Sequence, residues 1–205
     1  MQLPSELLHP LAGLRLLARG DARGLSNFDI SDDGMIRSFR AVLFCLPAFL
    51  VYAILRRIEF LQILPDLGRP HLVFIFQVLV IEASNWCFTV LFLMLAGFVL
   101  GLRPLIRPLI VMLNWAAVPV VYAVAIILTP VLMLLNHRST LQWMAETLLL
   151  LAVLIGALVI TWRILHTVIG GPKWRRTAFL LATVLPPLWM IRTLEHAMGL
   201  TVAHG

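Results

Sequence analysis

Glu82-Ala83-Ser84-Asn85-Trp86 is the stretch that decides how this chain is read. It interrupts a long, mostly apolar segment, with Leu72 to Ile81 before it and Cys87 to Leu102 after it. Glu82 and Asn85 are three residues apart and therefore share one helical face. Inside a membrane that face should look toward protein or water, because polar groups in hydrocarbon are costly. As one helix, residues 72–102 would extend about 46 Å, well beyond the roughly 30 Å of a hydrocarbon core. The helix must tilt or project, and Glu82 then lies either deep or at the interface. Counting back from Arg103 puts Glu82 about 32 Å away, which favours the interface opposite that arginine.

The surrounding composition agrees with a membrane setting. Of the 205 residues, 61% are hydrophobic and 13% charged, where about 25% charged is usual for a soluble domain. The net charge of +6 comes from arginines placed at the ends of apolar segments. There they set orientation and meet lipid headgroups, so the basic balance does not indicate a nucleic-acid partner. Cys45 and Cys87 both fall within apolar segments and form no metal or disulfide spacing; they read as small fillers. The preference for arginine over Lys173, the single lysine, points to a GC-rich bacterial genome.

The predicted architecture is all-α, a polytopic transmembrane bundle of about five spans preceded by an interfacial amphipathic helix. Residues 1–38 form the N-terminal segment and 39–205 the bundle, with spans near 39–62, 76–102, 108–132, 141–163 and 176–194. Leu7, Leu8, Leu11, Leu14 and Ala18 recur at helical spacing, which suits a helix lying in the membrane interface with Pro10 disturbing its first turns. In the connector, Ser31 or Asp29 is placed to cap the next helix, with Asp32 and Asp33 in its first turn. Pro47 is expected to bend span one, and Arg40 and Arg56 to snorkel at its two ends. The stretches 64–71 and 135–140 read as turns, and Pro186-Pro187 as an interruption of span five. Gly156 and Ala157 offer a flat patch for a neighbouring helix.

Four intramembrane polar residues are the candidate site: Glu82, Asn85, Asn114 and Glu146. Asn114-Trp115 on span three repeats the Asn85-Trp86 pair on span two. Such pairs can line a shared site or join helices by hydrogen bonds and aromatic packing, the latter at about 0.6–2 kcal/mol per contact. The six histidines show no zinc-binding spacing, and no metal or other cofactor is expected. The basic loop around Gly170-Gly171-Pro172 lacks the lysine and hydroxyl of a phosphate-binding loop, so headgroup contact is its expected use.

Orientation follows from the cations. An N-terminus in the cytoplasm puts Arg15, Arg19, Arg23, Arg37, Arg40, Arg103, Arg107, Arg163, Lys173, Arg175 and Arg176 inside. Only Arg56, Arg57, Arg69, Arg138 and Arg192 then lie outside, a bias of eleven to five. The expected location is a bacterial inner membrane.

Gly24-Leu-Ser-Asn-Phe-Asp-Ile-Ser31, Arg37-Ser-Phe-Arg40 leading into span one, and Asn114-Trp115 in span three resemble proteobacterial five-span membrane proteins of Yip-family-like layout. The resemblance implies a fold shape and a membrane location. The cytoplasmic motifs that the eukaryotic family uses toward small GTPases are not seen, so it carries over no site. Three functions were weighed on the residues themselves. A non-catalytic accessory, assembly or membrane-organising component comes first, with the bilayer and other membrane subunits or a second copy as partners. A small transporter or channel with a path lined by Glu82, Asn85, Asn114 and Glu146 is the alternative. An intramembrane enzyme comes last, because no nucleophile–base pair or metal set is spaced for chemistry.

Overall fold

A computed structural model describes residues 5–63, 70–135 and 140–200, and every described element is helical. The helices are α1 (Ser5–Ala18), α2 (Asp32–Ser38), α3 (Arg40–Ile63), α4 (His71–Val99), α5 (Arg103–Tyr122), α6 (Thr129–Leu135), α7 (Thr140–Ile169) and α8 (Lys173–Ala197). Five stretches are long and apolar enough to cross a membrane: Asp32–Gln62, His71–Val99, Arg103–Leu134, Thr147–Ile169 and Lys173–Ala197. The third is α5 and α6 joined without a break through a π-helical stretch, Ala123–Leu128. The chain is a multi-pass membrane bundle with a short N-terminal helix.

Most helix ends follow from local sequence. Ser31 caps α2 by accepting a hydrogen bond from the Gly34 amide at 3.0 Å, with Asp32 and Asp33 in the first turn where the helix dipole favours them. α1, α4 and α8 each stop at a glycine in the left-handed region: Gly20, Gly101 and Gly199, with φ of 85°, 69° and 64°. In each, the amide one residue beyond the glycine bonds back to a carbonyl in the last turn: Asp21 to Leu16 (3.0 Å), Leu102 to Gly97 (2.7 Å) and Leu200 to Glu195 (2.8 Å). This closure satisfies carbonyls that a helix end leaves open. It ends α4 at Val99, short of the expected 102.

Prolines do not end the spans, and the interruption expected at Pro186-Pro187 is absent. α3 runs through Pro47 and α8 through both Pro186 and Pro187. One turn ahead of that pair, the Thr183 hydroxyl lies 2.9 Å from the Phe179 carbonyl and 3.0 Å from that of Leu180. The π stretch precedes Pro130, and Thr129 bonds the Val124 carbonyl through both its amide and its hydroxyl (2.9 Å). Local rewinding and hydroxyl back-bonding accompany these prolines without ending the helices.

α5 is the centre of the bundle, packing on α1, α2, α3, α4 and α7, while α8 lies mainly along α4. The larger core surrounds α5 with Cys45, Leu93, Leu109, Met112, Ile164, Leu165 and Phe179. A smaller one at the other end joins α3, α4 and the end of α8 through Ala53, Phe60, Phe74, Val78, Ile81 and Leu200. Outside these cores, large apolar side chains stay exposed along every span, as a lipid-facing surface requires.

Two expectations change here. α1 does present an apolar stripe, but Leu7, Leu14 and Leu17 bury it against the bundle while Leu8 stays exposed. Protein, not lipid alone, covers this helix. Its approach is close: a Cβ on Gly13 would lie 2.9 Å from the Gly24 carbonyl oxygen, and one on Gly24 only 2.5 Å from that of Gly13. Gly156, expected to receive a neighbour, has nothing within 4 Å of where its Cβ would be. The close helix contact is instead at Gly97, where a Cβ would come within 2.4 Å of Ile106.

Candidate functional site: a polar groove between two spans

α4 and α5 meet tightly at Gly97 and Ile106 and enclose a cavity of about 200 Å³ farther along. Its lining includes Phe49 of α3, Glu82, Asn85, Trp86 and Thr89 of α4, and Leu113, Asn114, Ala117 and Val121 of α5. Three of the four expected polar residues therefore share one site. The fourth, Glu146, lies on α7, and its side chain falls outside the described residues. Along α4, positions 82, 85, 86 and 89 form the i, i+3, i+4, i+7 stripe that one helical face presents.

The groove has two chemically different ends. At one, the Trp86 indole donates to Asn114 Oδ1 at 3.0 Å, and Asn114 Nδ2 donates to Ser38 Oγ at 2.9 Å. Ser38 in turn donates to the Met35 carbonyl at 2.6 Å. Ser38 and Asn114 are 1% and 4% exposed, so this chain is a buried cross-link among α2, α4 and α5. Ser38 also lines a second cavity of about 330 Å³, together with Val111 and Trp115. His9, Asn27, Asp29, Arg37 and Arg40 line the mouth of that second cavity.

At the other end, among the described residues, the side chains of Glu82 and Asn85 form no hydrogen bond or ion pair. Both are half-buried. Glu82 is within electrostatic reach of Glu195 on α8, and Tyr52 of α3 feels both carboxylates and Arg56. Arg56 pairs with Glu59 at 2.8 Å and Arg192 with Glu195 at 3.6 Å. Glu82 thus faces the charged groups at the end of α8, while α3 and α4 continue beyond it. α3 runs on past Arg56 and Arg57 to Ile63. Arg57 is buried, donating to His71 Nδ1 at 3.2 Å and lying over the Phe74 ring.

Of the arginines and lysine expected at the headgroups, Arg15, Arg19, Arg37, Arg40, Arg103, Arg107, Lys173 and Arg175 are exposed. Arg107 pairs with Asp32 at 2.6 Å, and Arg37 pairs with Asp29. Asp29 lies outside the spans. Hydrogen bonds from the Ser31 hydroxyl and amide, with the Arg37 charge, hold its carboxyl below the usual range. Arg176 differs from the rest. It is 6% exposed and stacks over Trp162, 5.3 Å from the ring centre. The arginine pattern marks the helix end, but the pattern alone does not disclose an aromatic partner on the preceding span.

Comparison with family models, with curated proteins and with solved structures finds no match to this chain. The groove therefore rests on its own geometry.

Proposed function

We propose that this protein is a non-catalytic component of a bacterial inner membrane, with its N-terminus in the cytoplasm, that accompanies or assembles another membrane protein. The α4–α5 groove is the seat for a transmembrane helix of that partner. The layout of spans, similar to that of Yip-like proteins, belongs to the same reading, as does the eleven-to-five bias of basic residues.

One observation carries the proposal: among the described residues the groove is polar and unmet at Glu82 and Asn85, while Asn114 is bonded on both sides. Hydrocarbon cannot satisfy a carboxylate or a carboxamide, whereas a polar side chain on a partner helix can. The alternative, a small transporter or channel, is favoured by the meeting of Glu82, Asn85 and Asn114 on one cavity. A path would have to continue past Asn114, where the buried bonds to Trp86 and Ser38 stand in the way.

A photo-crosslinker placed at Thr89, in the groove, and at Leu151, on the exposed face of α7, tests the choice in native membranes. The expected result is one discrete heterologous polypeptide adduct at position 89, absent at 151 and lost in Glu82→Leu/Asn85→Leu. A self-adduct would identify the partner as a second copy. No adduct, together with solute uptake into proteoliposomes abolished by Glu82→Gln, would replace the accessory reading with transport.

A further inference from the structure

The turn between α7 and α8 is the most one-sidedly charged part of the molecule. Between Glu146 and Glu195 the sequence contains no acidic residue, yet it places Lys173, Arg175 and Arg176 together in the first turn of α8. That is the wrong end of a helix for cations. The N-terminal amides already make it positive, and acidic side chains or bound anions are what stabilise it. No side chain caps it: the capping position is Pro172, which makes no side-chain hydrogen bond. Gly170 and Gly171 just before it are both left-handed, with φ of 58° and 60°, and nothing lies within 4 Å of either Cβ position.

Arg176 is the second, independent observation. Its guanidinium is directed back at this turn, where Nη2 donates to the Gly171 carbonyl at 3.4 Å over the Trp162 ring. It is 94% buried by the same measure that leaves it 6% exposed, and its Nε has no hydrogen-bond partner among the described residues. A buried guanidinium beneath the turn, beside uncapped helix amides and two exposed cations, calls for an anion with several acceptor oxygens.

We infer that this turn is a stoichiometric binding site for the phosphate of an anionic phospholipid. The turn joins two spans and so lies at headgroup level, where exposed Trp174 (60%) supplies the interfacial aromatic. Basic pockets between span ends are where anionic headgroups are held. The phosphate meets Lys173, Arg175 and the first amides of α8, and Arg176 supports the turn from beneath. Arg163, next in the chain to Trp162, extends the positive face to α1: its Nη1 sits 2.7 Å from where a Cβ on Gly20 would be. Asp21, next in the chain to Gly20, is taken up by Arg23 at 2.7 Å.

The test uses the full chain in nanodiscs of phosphatidylcholine containing a minor fraction of phosphatidylglycerol, with native mass spectrometry counting lipids retained on release. One retained phosphatidylglycerol is expected. Retention should fall roughly tenfold or more in Lys173→Gln/Arg175→Gln, whose side chains are exposed and whose loss leaves the core intact. It should persist in Arg103→Gln/Arg107→Gln, which removes two charges from the α4–α5 turn. Equal retention in both double variants would overturn the site. Displacement by inorganic phosphate at about 10 mM, far above what a surface-held lipid should notice, would make it a soluble-anion site and equally overturn the lipid assignment.

Discussion

Asn85-Trp86 and Asn114-Trp115 are the same dipeptide on adjacent spans, in opposite circumstances. Asn114 is buried, with its amide oxygen and nitrogen both bonded, and Trp115 packs in the core with its ring 5.9 Å from Phe44. Asn85 is half-buried with no side-chain bond among the described residues, while its neighbour Trp86 reaches across to Asn114. One pair is spent on holding helices together, and the other leaves a carboxamide facing a groove. The difference shows that polar residues in a span report a function only when their bonding is left incomplete. Asn114 is the costlier residue to lose and the less informative about activity; Asn85 is the reverse.

That contrast can be broken by substitution. Asn114→Leu should destabilise the bundle most, by about 1–4 kcal/mol, because two membrane hydrogen bonds at about 0.6–2 kcal/mol each disappear. Unfolding in mixed micelles measures it, and a loss below a few tenths would mean the cross-link holds nothing. Trp86→Phe should cost about 0.6–2 kcal/mol in the native background and markedly less when Asn114 is already leucine. Additive losses in that double-mutant cycle would disprove the coupling. Asn85→Leu should leave micelle stability within about 0.5 kcal/mol, or raise it, since it removes an unmet polar group. The same variant should weaken the crosslink at position 89. A large destabilisation would place Asn85 with Asn114 as structural.

The smallest effect lies outside the bilayer and serves as a control. The carboxyl of Asp29 is held below its ordinary value by Ser31 and Arg37, so its unfolded form binds a proton more readily than its folded form. Its contribution to stability is complete above the unfolded carboxylate pKa and is lost as pH falls through the lower folded value. In Asp29→Asn the fall in melting temperature with acid should be shallower, the variant melting slightly lower near neutral pH and converging with the native protein in acid. An unchanged slope would show that the Ser31 and Arg37 contacts do not persist in solution.

Much of the fold was legible because apolar runs, caps and basic ends are local signals. All five spans coincide with helices, and Ser31 and its aspartates start α2 as their chemistry demands. What escaped were facts that depend on rotation between helices. The repeated Asn-Trp pair is visible in the sequence, but the bond from Trp86 to Asn114, 28 residues on, depends on how α4 and α5 turn toward one another. The leucines of α1 declare an apolar face without saying whether lipid or protein covers it. Gly97 carries no mark that distinguishes it from Gly156, yet one touches Ile106 and the other touches nothing. Pro186 and Pro187 looked like a break because proline lacks a donor, and α8 nevertheless stays wound through both.

The π stretch at Ala123–Leu128 gives the third span two phases. Such a stretch acts as a residue inserted into an α-helix, so every side chain after it is turned by about 100° from where unbroken winding would hold it. Counting a face forward from Leu109 therefore fails at Thr129. Removing one residue between 123 and 128 would rewind the segment and swing α6 against different neighbours than the α3 and α7 it now touches. A single codon's worth of slack thus sets which side of this helix is spoken for at its far end.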